Sequence, residues 1–303
     1  MNTKQKAHAA VLAANIIFAA NYGMVKFVSP GFIESFGLNL IRVSISTMLL
    51  WLMYLLKPSS AGIQKKHLGR FLLCAAVGVA ANQMLFIKGL TLTTSIHAAL
   101  LILGTPIFIT FLAAWLLKES FGLNKLFGLI LGISGAMLLV LMKESTGHGT
   151  NIILGDILIL VNAMCYALYL VLVRPLMKIY TAIHVLRWVF TFGTFMILPF
   201  GFQQLTQADF MSFSTDVWLA LSFIIIGGTF LAYLFTIYGI QHIGPAITGT
   251  YIYSQPIFAS VIAIIFLGEH FSWQKAAAAV LIFSGVYLVN LKQKTGEEEP
   301  ESV

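Results

Sequence analysis

Charged residues are scarce in this chain, because aspartate, glutamate, lysine and arginine together make up 10% of it. An ordinary soluble domain carries about 25% charged residues, so the composition excludes a soluble globular protein. Cysteine is also rare: Cys74 and Cys165 are the only two, and both fall in apolar stretches, which excludes a disulfide scaffold. The whole chain is 59% hydrophobic, a composition typical of a protein that crosses the membrane several times.

Two signatures of catalysis and nucleotide binding are missing, the His-Glu-x-x-His of zinc proteases and the Gly-x-x-x-x-Gly-Lys-Ser/Thr loop of ATPases. The run Gly132-Ile133-Ser134-Gly135 matches the Gly-x-Ser-Gly of rhomboid-type serine proteases, with His97 as a candidate base. However, the Ser-Gly pair recurs at Ser284-Gly285, where Ile247 stands in the position of the histidine. Packing explains both copies, so we expect no enzyme activity, no metal and no cofactor.

Long apolar segments recur along the whole chain and are separated by turn residues and charges. A helix that spans the membrane needs roughly 20 apolar residues, and the length of the chain accommodates about ten such helices. The segments predict helices 1 to 10 near residues 8–28, 33–56, 68–90, 93–117, 123–142, 152–173, 182–200, 215–239, 244–267 and 273–291.

The net charge of +7 is distributed unevenly across these helices. With a cytoplasmic N-terminus, one side of the membrane collects most of the basic residues, namely Lys4, Lys6, Lys57, Lys65, Lys66, Arg70, Lys118, Lys125, Arg174, Lys178, Lys292 and Lys294. Such a bias sets the topology of membrane proteins and does not indicate a nucleic-acid partner. We therefore expect both termini on the cytoplasmic side of a bacterial cytoplasmic membrane.

An internal repeat defines the architecture, since residues 89–143 recur at 239–293. The match superposes Pro106-Ile107-Phe108 on Pro256-Ile257-Phe258 and extends more weakly to earlier helices. Five helices per unit is an odd number, so the second unit enters the membrane from the opposite side. The sequence thus predicts an all-α membrane protein of ten transmembrane helices as two inverted five-helix repeats, 8–143 and 152–293, followed by a disordered acidic cytoplasmic tail at 294–303.

The repeated residues carry a resemblance to a known family. Each proline segment is followed by Leu-x-Glu near the end of a helix, at Leu117 to Glu119 and Leu267 to Glu269, and then by a helix that ends in Ser-Gly. In this the chain resembles EamA-domain proteins of the drug/metabolite transporter superfamily. The resemblance implies secondary transport and a central cavity lined mainly by helices 1, 3, 4, 6, 8 and 9.

Polar residues at membrane depth are functional candidates because they are costly there. Helix 1 places Asn15 and Tyr22 on one stripe, and helix 6 does the same with Asn162 and Tyr166. These helices are repeat partners, so the two stripes are candidates for opposite walls of a cavity. The alternative is that they hold helices together by hydrogen bonds, each worth about 0.6 kcal/mol.

Helices 3, 8 and 9 supply further candidates for substrate binding, Asn82, Gln83, Tyr233, Tyr251 and Gln255. Amides and tyrosines orient a polar or zwitterionic solute by hydrogen bonds, while apolar walls pack around the rest of it. The alternative is simple packing of polar residues around the two helix prolines.

Three charged or titratable residues, Arg42, Arg187 and His97, fall well inside the predicted helices. Arg42 and Arg187 occupy equivalent positions, and we expect them to snorkel or bond to carbonyls, with binding of an anionic group as the alternative. His97 is included among the substrate-binding candidates, and its ring suits a proton relay. No aspartate or glutamate is placed at comparable depth by the sequence, so packing is the favoured role.

The ends and bends of helices 4 and 9 carry the repeated glutamates and prolines. Glu119 and Glu269 are expected to bond to backbone amides that open the next helix, where negative charge is favoured. Pro106 and Pro256 are expected to bend their helices and to act as hinges. In helix 5, Gly128-x-x-x-Gly132 favours close packing, either against helix 10 or in a homodimer through helices 5 and 10.

These features together predict a secondary transporter that moves small organic metabolites by alternating access, with the bilayer and a small-molecule substrate as its partners. Amino acids are the expected substrates and export the expected direction, coupled to protons or to a counter-substrate. A multidrug exporter of lipophilic or cationic compounds is the alternative, supported by 24 Phe and 11 Met. An intramembrane enzyme or a receptor is a more distant alternative. A channel would need rings of charged residues or carbonyl filters from several subunits.

Overall fold

The computed structural model describes residues 2–56, 62–117, 123–141, 150–243, 248 and 251–290. Helices occupy every one of the ten predicted segments, and we label them α1 to α10. Their bounds are α1 Thr3–Val28, α2 Ser35–Leu56, α3 Lys65–Leu92, α4a Ser95–Ile102, α4b Thr105–Leu117, α5 Leu123–Leu141, α6 Ile152–Met177, α7 Ala182–Thr206, α8 Thr215–Ile243, α9 Gln255–Leu267 and α10 Trp273–Asn290.

The outer surface of this helical assembly is apolar. Seven of the helices are long and apolar enough to cross a membrane, and three further apolar helices are shorter. Large side chains such as Phe266, Trp115 and Leu56 are exposed on the outside, where lipid tails would solvate them. Helices satisfy their own backbone hydrogen bonds, as a bilayer requires. The prediction of an all-α membrane protein with ten transmembrane helices is confirmed.

The repeat that is visible in the sequence is also visible in the packing. Helix α3 contains a π-helical segment at Ala76–Ala80, and α8 contains one at Phe223–Leu231, so the two irregular turns occupy equivalent positions. The repeats interlock, because α2 packs on α7 and α5 packs on α10, while α3 packs on α6 and its counterpart α8 packs on α1. The central core is therefore built by helices of both repeats.

The repeated prolines do not bend continuous helices as expected. Helix 4 is interrupted at Leu103 and Gly104, and Pro106 lies in the first turn of α4b. In the other repeat, Pro256 lies in the first turn of α9, after a short 3₁₀ turn at Tyr251–Ser254. Proline is tolerated at a helix start because its missing N–H has no partner there anyway. The hinge role of these breaks stays a prediction.

Several predicted boundaries were wrong by more than two residues. Helix α1 begins at Thr3, because the Asn2 side chain accepts from the backbone N–H of Gln5 in a capping box. Helix α6 runs on to Met177 with Pro175 inside it, and α7 runs on to Thr206 past Pro199. Proline reads as a helix stop in sequence, yet both of these helices continue through it. The acidic tail at 294–303 lies outside the described residues.

The glycines of α5 are used for packing within the chain. A Cβ on Gly285 of α10 would lie 2.6 Å from the carbonyl oxygen of Gly128 and 2.7 Å from the nitrogen of Gly132. Backbone therefore touches backbone where α5 crosses α10, as the Gly-x-x-x-Gly spacing permits. A homodimer through helices 5 and 10 stays a prediction, but it has to use other faces of these helices.

Substitution of Gly285 tests this contact. Gly285→Ala places a methyl group against rigid backbone, and overpacking of this kind costs about 1–3 kcal/mol. We expect the thermal unfolding temperature in detergent to fall clearly. The matched control is Gly69→Ala in α3, where a Cβ meets nothing within 4 Å and alanine is the better helix former. Equal melting temperatures for the two variants would contradict the close contact.

Candidate functional site

A cavity of about 220 Å³ lies between the two repeats. Its walls come from α1, α2, α3, α4, α6, α7, α8 and α9, which includes all six helices that the family resemblance implies. The polar and aromatic residues on its surface are Phe18, Asn21, Tyr22, Arg42, Asn82, Gln83, Phe86, Thr105, Asn162, Tyr166, Tyr169, Phe190, Tyr233, Thr236 and Gln255. Seven of the ten sequence candidates for substrate binding are among them: Tyr22, Asn82, Gln83, Asn162, Tyr166, Tyr233 and Gln255.

Arg42 is the one charged side chain among the described residues that line the cavity. It is 4% exposed, and its Nε donates to the hydroxyl of Thr229 at 3.0 Å. Its Nη1 has no hydrogen-bond partner among the described residues. The expected snorkelling to the membrane surface was wrong, because α2 is surrounded at this depth by α7, α8 and α3 and the guanidinium is directed inward. A buried cation without a carboxylate partner is a binding group for an anion.

Arg187 has different surroundings, although it occupies the equivalent position in the second repeat. Its guanidinium carbon lies 4.8 Å from the ring centre of Trp51 and 4.3 Å from that of Tyr54. It also contacts the Nδ1 of His184 at 3.2 Å. Cation–π stacking of this type stabilises a buried arginine. The two arginines therefore do not share a role, and only Arg42 reaches the cavity.

The amides of the sequence stripes join the two repeats by hydrogen bonds. Asn82 donates to the carbonyl of Asn162 at 3.2 Å, and Asn162 donates to the carbonyl of Asn82 at 2.6 Å. The side-chain nitrogen of Gln255 donates to Asn15 at 2.8 Å. Cavity lining and helix bonding are thus combined in the same residues. Asn15 does not itself line the cavity, and it acts by orienting Gln255.

Two other amides face the cavity with unused hydrogen-bonding capacity. The nitrogen and oxygen of the Gln83 side chain are buried beside Tyr233 but reach no described partner at bonding geometry. The side-chain oxygen of Asn21 is likewise unpaired among the described residues and packs against Gly228 in the π-helical segment of α8. Unpaired buried polar atoms are costly, so these atoms are expected to bind a ligand or water. Sequence analysis missed Asn21, although an asparagine inside an apolar helix was a signal for it.

Aromatic side chains form much of the remaining wall. Tyr22 packs edge-on against Phe86 at 5.6 Å between ring centres, Tyr166 stacks on Tyr169 at 6.1 Å, and Tyr233 packs edge-on against Phe190 at 5.4 Å. Edge-to-face and stacked pairs fix ring positions. The cavity therefore has rigid aromatic walls around a small number of polar groups, as binding sites for small molecules do.

Besides Asn15, two further sequence candidates, Tyr251 and His97, lie outside the cavity. The hydroxyl of Tyr251 pairs with Nδ1 of His8 at 2.8 Å, between the beginning of α1 and the turn that precedes α9. His97 is fully buried, and its Nδ1 lies 2.8 Å from Oδ2 of Asp156, which is also fully buried. The expectation that no carboxylate shares the depth of His97 was wrong. Asp156 lies in the second turn of α6, and sequence alone could not show that this turn faces α4a.

Glu269 bonds to backbone amides that open a helix, but not the next helix in the chain. Its carboxylate accepts from the amides of Ser95 at 2.8 Å and Ile96 at 3.1 Å, which begin α4a in the other repeat. It also pairs with Lys26 of α1 at 3.5 Å. The expected partner, α10, was therefore wrong. Glu119 lies outside the described residues.

These contacts close one end of the cavity. Lys26, Glu269 and the start of α4a link α1, α9 and α4 at the end where α1 finishes. This end is the outer side if the N-terminus is cytoplasmic, as predicted. At the other end, the lining continues to Met177, which is 40% exposed, and to Ala182. The cavity therefore extends towards the predicted cytoplasmic side.

Among the described residues, no group of three His, Cys, Asp or Glu side chains could hold a metal ion.

Comparison with known proteins gives a family match across both halves. The model of the EamA-like transporter family matches residues 5–141 and 153–291. An uncharacterized transporter of Archaeoglobus fulgidus is 26% identical over 294 residues, which cover 95% of this chain and 98% of that protein. The uncharacterized transporter YetK of Bacillus subtilis is 23% identical, over 89% of this chain and 82% of its own length.

A plant relative and a solved structure complete the comparison. A WAT1-related protein of Arabidopsis thaliana is 26% identical over 320 residues, which cover 94% of this chain and 85% of that protein. A crystal structure of a protein with 18% identity superposes with a TM-score of 0.60 and covers 93% of this chain and 96% of its own. It shows the same fold. The relatives of Archaeoglobus fulgidus and Bacillus subtilis reported above are named as transporters.

Glu269→Gln tests the closed end of the cavity. The change removes the ion pair with Lys26 and weakens two charge-assisted bonds; a loss of about 1.4 kcal/mol would raise the open population about tenfold. The reporter is Thr236→Cys in a background with Cys74→Ala and Cys165→Ala, labelled in sealed vesicles by a maleimide that does not cross membranes. We expect the parent to react much more slowly from the outer side than from the cytoplasmic side, and Glu269→Gln to react about tenfold faster than the parent from the outer side.

The control for this experiment is Glu34→Gln, which removes an exposed carboxylate at the same end and is expected to leave labelling unchanged. Equal labelling of the parent from both sides would contradict the closed end. Labelling of Glu269→Gln that matches the parent would show that the Glu269 contacts do not hold it shut.

Proposed function

The chain belongs to the EamA-like transporter family, and from this premise we propose that it exports amino acids or closely related metabolites across a bacterial cytoplasmic membrane. It is a multi-pass membrane transporter of a small molecule. The observation that carries the substrate class is the free side of the Arg42 guanidinium, which is buried in the cavity between the repeats next to unpaired amides.

The polar groups of the cavity match the two charged groups of an amino acid. The Nη1 of Arg42 offers N–H donors to a carboxylate, in the planar geometry that guanidinium groups provide. The side-chain oxygens of Asn21 and Gln83 can accept from an ammonium group, and the tyrosine rings offer it π faces. No aspartate or glutamate lines the described part of the cavity. The cavity therefore binds the carboxylate of an amino acid more strongly than its ammonium group.

The volume of the cavity supports a small substrate. Pockets that hold drug-sized ligands have volumes of about 300–1,000 Å³, and this cavity has about 220 Å³. An amino acid is a better fit to this space than a multi-ring compound. The cavity's extension to Met177 supports export, because a solute from the cytoplasm would enter there if both termini are cytoplasmic.

Export of lipophilic drugs is the second candidate. Phe18, Phe86, Phe190 and Leu170 line the same cavity, and apolar walls of this kind accept varied apolar solutes. Cationic drugs fit less well, because Arg42 repels them and no carboxylate among the described lining residues attracts them. The two candidates differ in their need for Gln83 and Gln255: a drug exporter would tolerate their replacement by alanine and an amino-acid exporter would not.

Alternating access is supported by the contacts between the repeats. Inverted repeats allow one packing plan to adopt two conformations around a central site. In this chain the breaks in helix 4 and before α9, and the π-helical segments of α3 and α8, all flank the cavity. Irregular turns of this type are frequent at functional sites. A monomer is sufficient for this mechanism.

Counterflow in proteoliposomes tests the proposal, with pooled radiolabelled L-amino acids on one side and unlabelled ones on the other. We expect exchange in the parent protein and a decrease of about 10- to 100-fold in Arg42→Gln, since a hydrogen bond to a charged group contributes about 1.5–3 kcal/mol. Gln83→Ala is expected to reduce exchange as well.

Arg70→Gln is the matched control, because Arg70 is an exposed arginine of α3 outside the cavity, and its exchange should equal that of the parent. No exchange of any amino acid by the parent protein would refute the substrate class and favour lipophilic compounds. Exchange that persists in Arg42→Gln would refute the role of the guanidinium.

A further inference from the structure

An acid–base pair joins the two repeats between the cavity and its closed end. Nδ1 of His97 in α4a lies 2.8 Å from Oδ2 of Asp156 in α6. The other carboxylate oxygen, Oδ1, accepts from the hydroxyl of Thr93. Both members of the pair are 0% exposed. Nothing in the proposed binding of an amino acid uses them.

The backbone brings these two side chains together by a close helix contact. A Cβ on Gly155 would lie 2.6 Å from the nitrogen of Thr93 and 2.8 Å from the carbonyl oxygen of Gly89. Only glycine at position 155 permits this approach, and it puts Asp156 directly against the turn that starts α4a. The amide of Asn151 also donates to the carbonyl of Leu92 at 3.3 Å. The site is therefore a built contact between α6 and the junction of α3 and α4a.

The position of the pair lies one layer outward from the cavity. Asp156 precedes the cavity residue Asn162 by six residues of helix, a rise of about 9 Å. His97 precedes the cavity residue Ile102 on α4a in the same direction. Ser95 and Ile96, the two residues before His97, are held by Glu269. The pair is thus part of the layer of contacts that separates the cavity from the outer side. This layer, formed by Lys26, Glu269, the start of α4a and Asp156, is called the plug below.

The other charged side chains near the plug come from α1, α10 and α3. Lys26 of α1 pairs with Glu269 and donates to the carbonyl of Thr93 at 2.8 Å. Lys275 of α10 donates to the carbonyl of His270 at 2.8 Å, and Lys88 of α3 is partly exposed. Helices α4b and α9 bring no charged side chain to this end within the described residues. Lys26 forms an ion pair with Glu269, and His97 is the titratable side chain in direct contact with Asp156.

We propose that His97 and Asp156 form a proton-binding site, which takes up one proton from the outer solution each time the outer end closes over the cavity. This inference rests on the proposed transport cycle, because it requires an outer end that opens and closes. It adds a ligand, the proton, and a site for it.

Burial determines how many protons the His97–Asp156 pair holds in the closed state. With a neutral histidine and an ionised aspartate, the sealed pair would hold a net negative charge away from water, which is costly. One further proton makes the pair neutral, whichever of the two side chains carries it. In the open state water solvates both groups, and a histidine in water is mostly neutral above about pH 6.5. Closing therefore binds a proton, and opening returns it to the outer solution.

The sign of the pH dependence follows from this linkage. Since the closed state binds the extra proton more tightly, acid on the outer side stabilises closure. Closure weakens as the outer pH rises, because the proton must then be taken from a more dilute source. A one-proton linkage changes the ratio of open to closed protein by at most about tenfold per pH unit.

The second repeat has no equivalent of this pair. The residue that matches His97 is Ile247, and the residue that matches Asp156 in the first helix of the other repeat is Leu12. The helix contact itself is repeated, because Gly239, the counterpart of Gly89, packs against Val11 of α1. The proton site is therefore specific to the outer end, so the pH of the outer solution acts on one gate only.

Thiol labelling without any transported solute tests the inference. The reporter is again Thr236→Cys in the background with Cys74→Ala and Cys165→Ala, and the rate of labelling from the outer side is divided by the rate from the cytoplasmic side at the same pH. This ratio cancels the pH dependence of the thiol itself. In the parent we expect the ratio to rise several-fold as the pH increases from about 6 to 8, the range in which histidine changes charge.

Three variants decide the site. His97→Gln, Asp156→Asn and the double variant are each expected to flatten the pH profile of the ratio, and the double variant keeps a neutral hydrogen-bonding pair in case a single change disturbs folding. His67→Gln is the matched control, since it removes a histidine contact of 2.9 Å to Tyr180 at the other end, and it should keep the parental profile.

Two results would overturn the inference: a flat profile in the parent, or a parental profile in the folded double variant. Because no amino acid is present, this assay is independent of the counterflow experiment. Lack of amino-acid exchange together with a pH-dependent ratio would refute the substrate class and leave the proton site standing. Exchange of amino acids together with a flat labelling ratio would support the substrate class and refute the proton site.

Discussion

The structure depends on one constraint, that polar side chains in a low-dielectric interior must find partners. In this chain the partners come from the other repeat. Asn82 bonds to Asn162, Asn15 to Gln255, and Glu269 to the start of α4a. These contacts hold the two halves against each other and leave a small number of polar atoms unpaired. Among these unpaired atoms, those of Asn21, Arg42 and Gln83 belong to residues that line one cavity, and they define its chemistry.

The two repeats share their helix packing but differ in the positions and contacts of their charged side chains. The π-helical segments, the helix breaks before α4b and α9, and the glycine contacts of Gly89 and Gly239 are present in both halves. Arg42 faces the cavity while Arg187 stacks on aromatic rings, and His97 and Asp156 have no counterparts. Symmetric packing permits two conformations of similar energy, and asymmetric charges allow solutes and protons to act on them differently.

Most of the fold was readable from the sequence, because apolar length and an internal repeat are strong signals. Tyr22, Gln83, Asn162 and Tyr233 line the cavity, since helical spacing fixes which residues share a face, and their role in substrate binding stays a prediction. The contact of His97 with Asp156 and the depth of Arg42 were not readable. Both depend on which helices are neighbours and on how closely glycine lets them approach, and a single sequence contains no direct record of either.

A structure of the protein in lipid nanodiscs with a saturating amino acid tests the central claim most directly, that the unpaired atoms of the cavity bind the substrate. The account predicts density for the solute between the repeats, with its carboxylate within hydrogen-bonding distance of the Arg42 guanidinium and its amino group near Asn21 or Gln83. A solute bound elsewhere, or an empty cavity under conditions that support exchange, would contradict it.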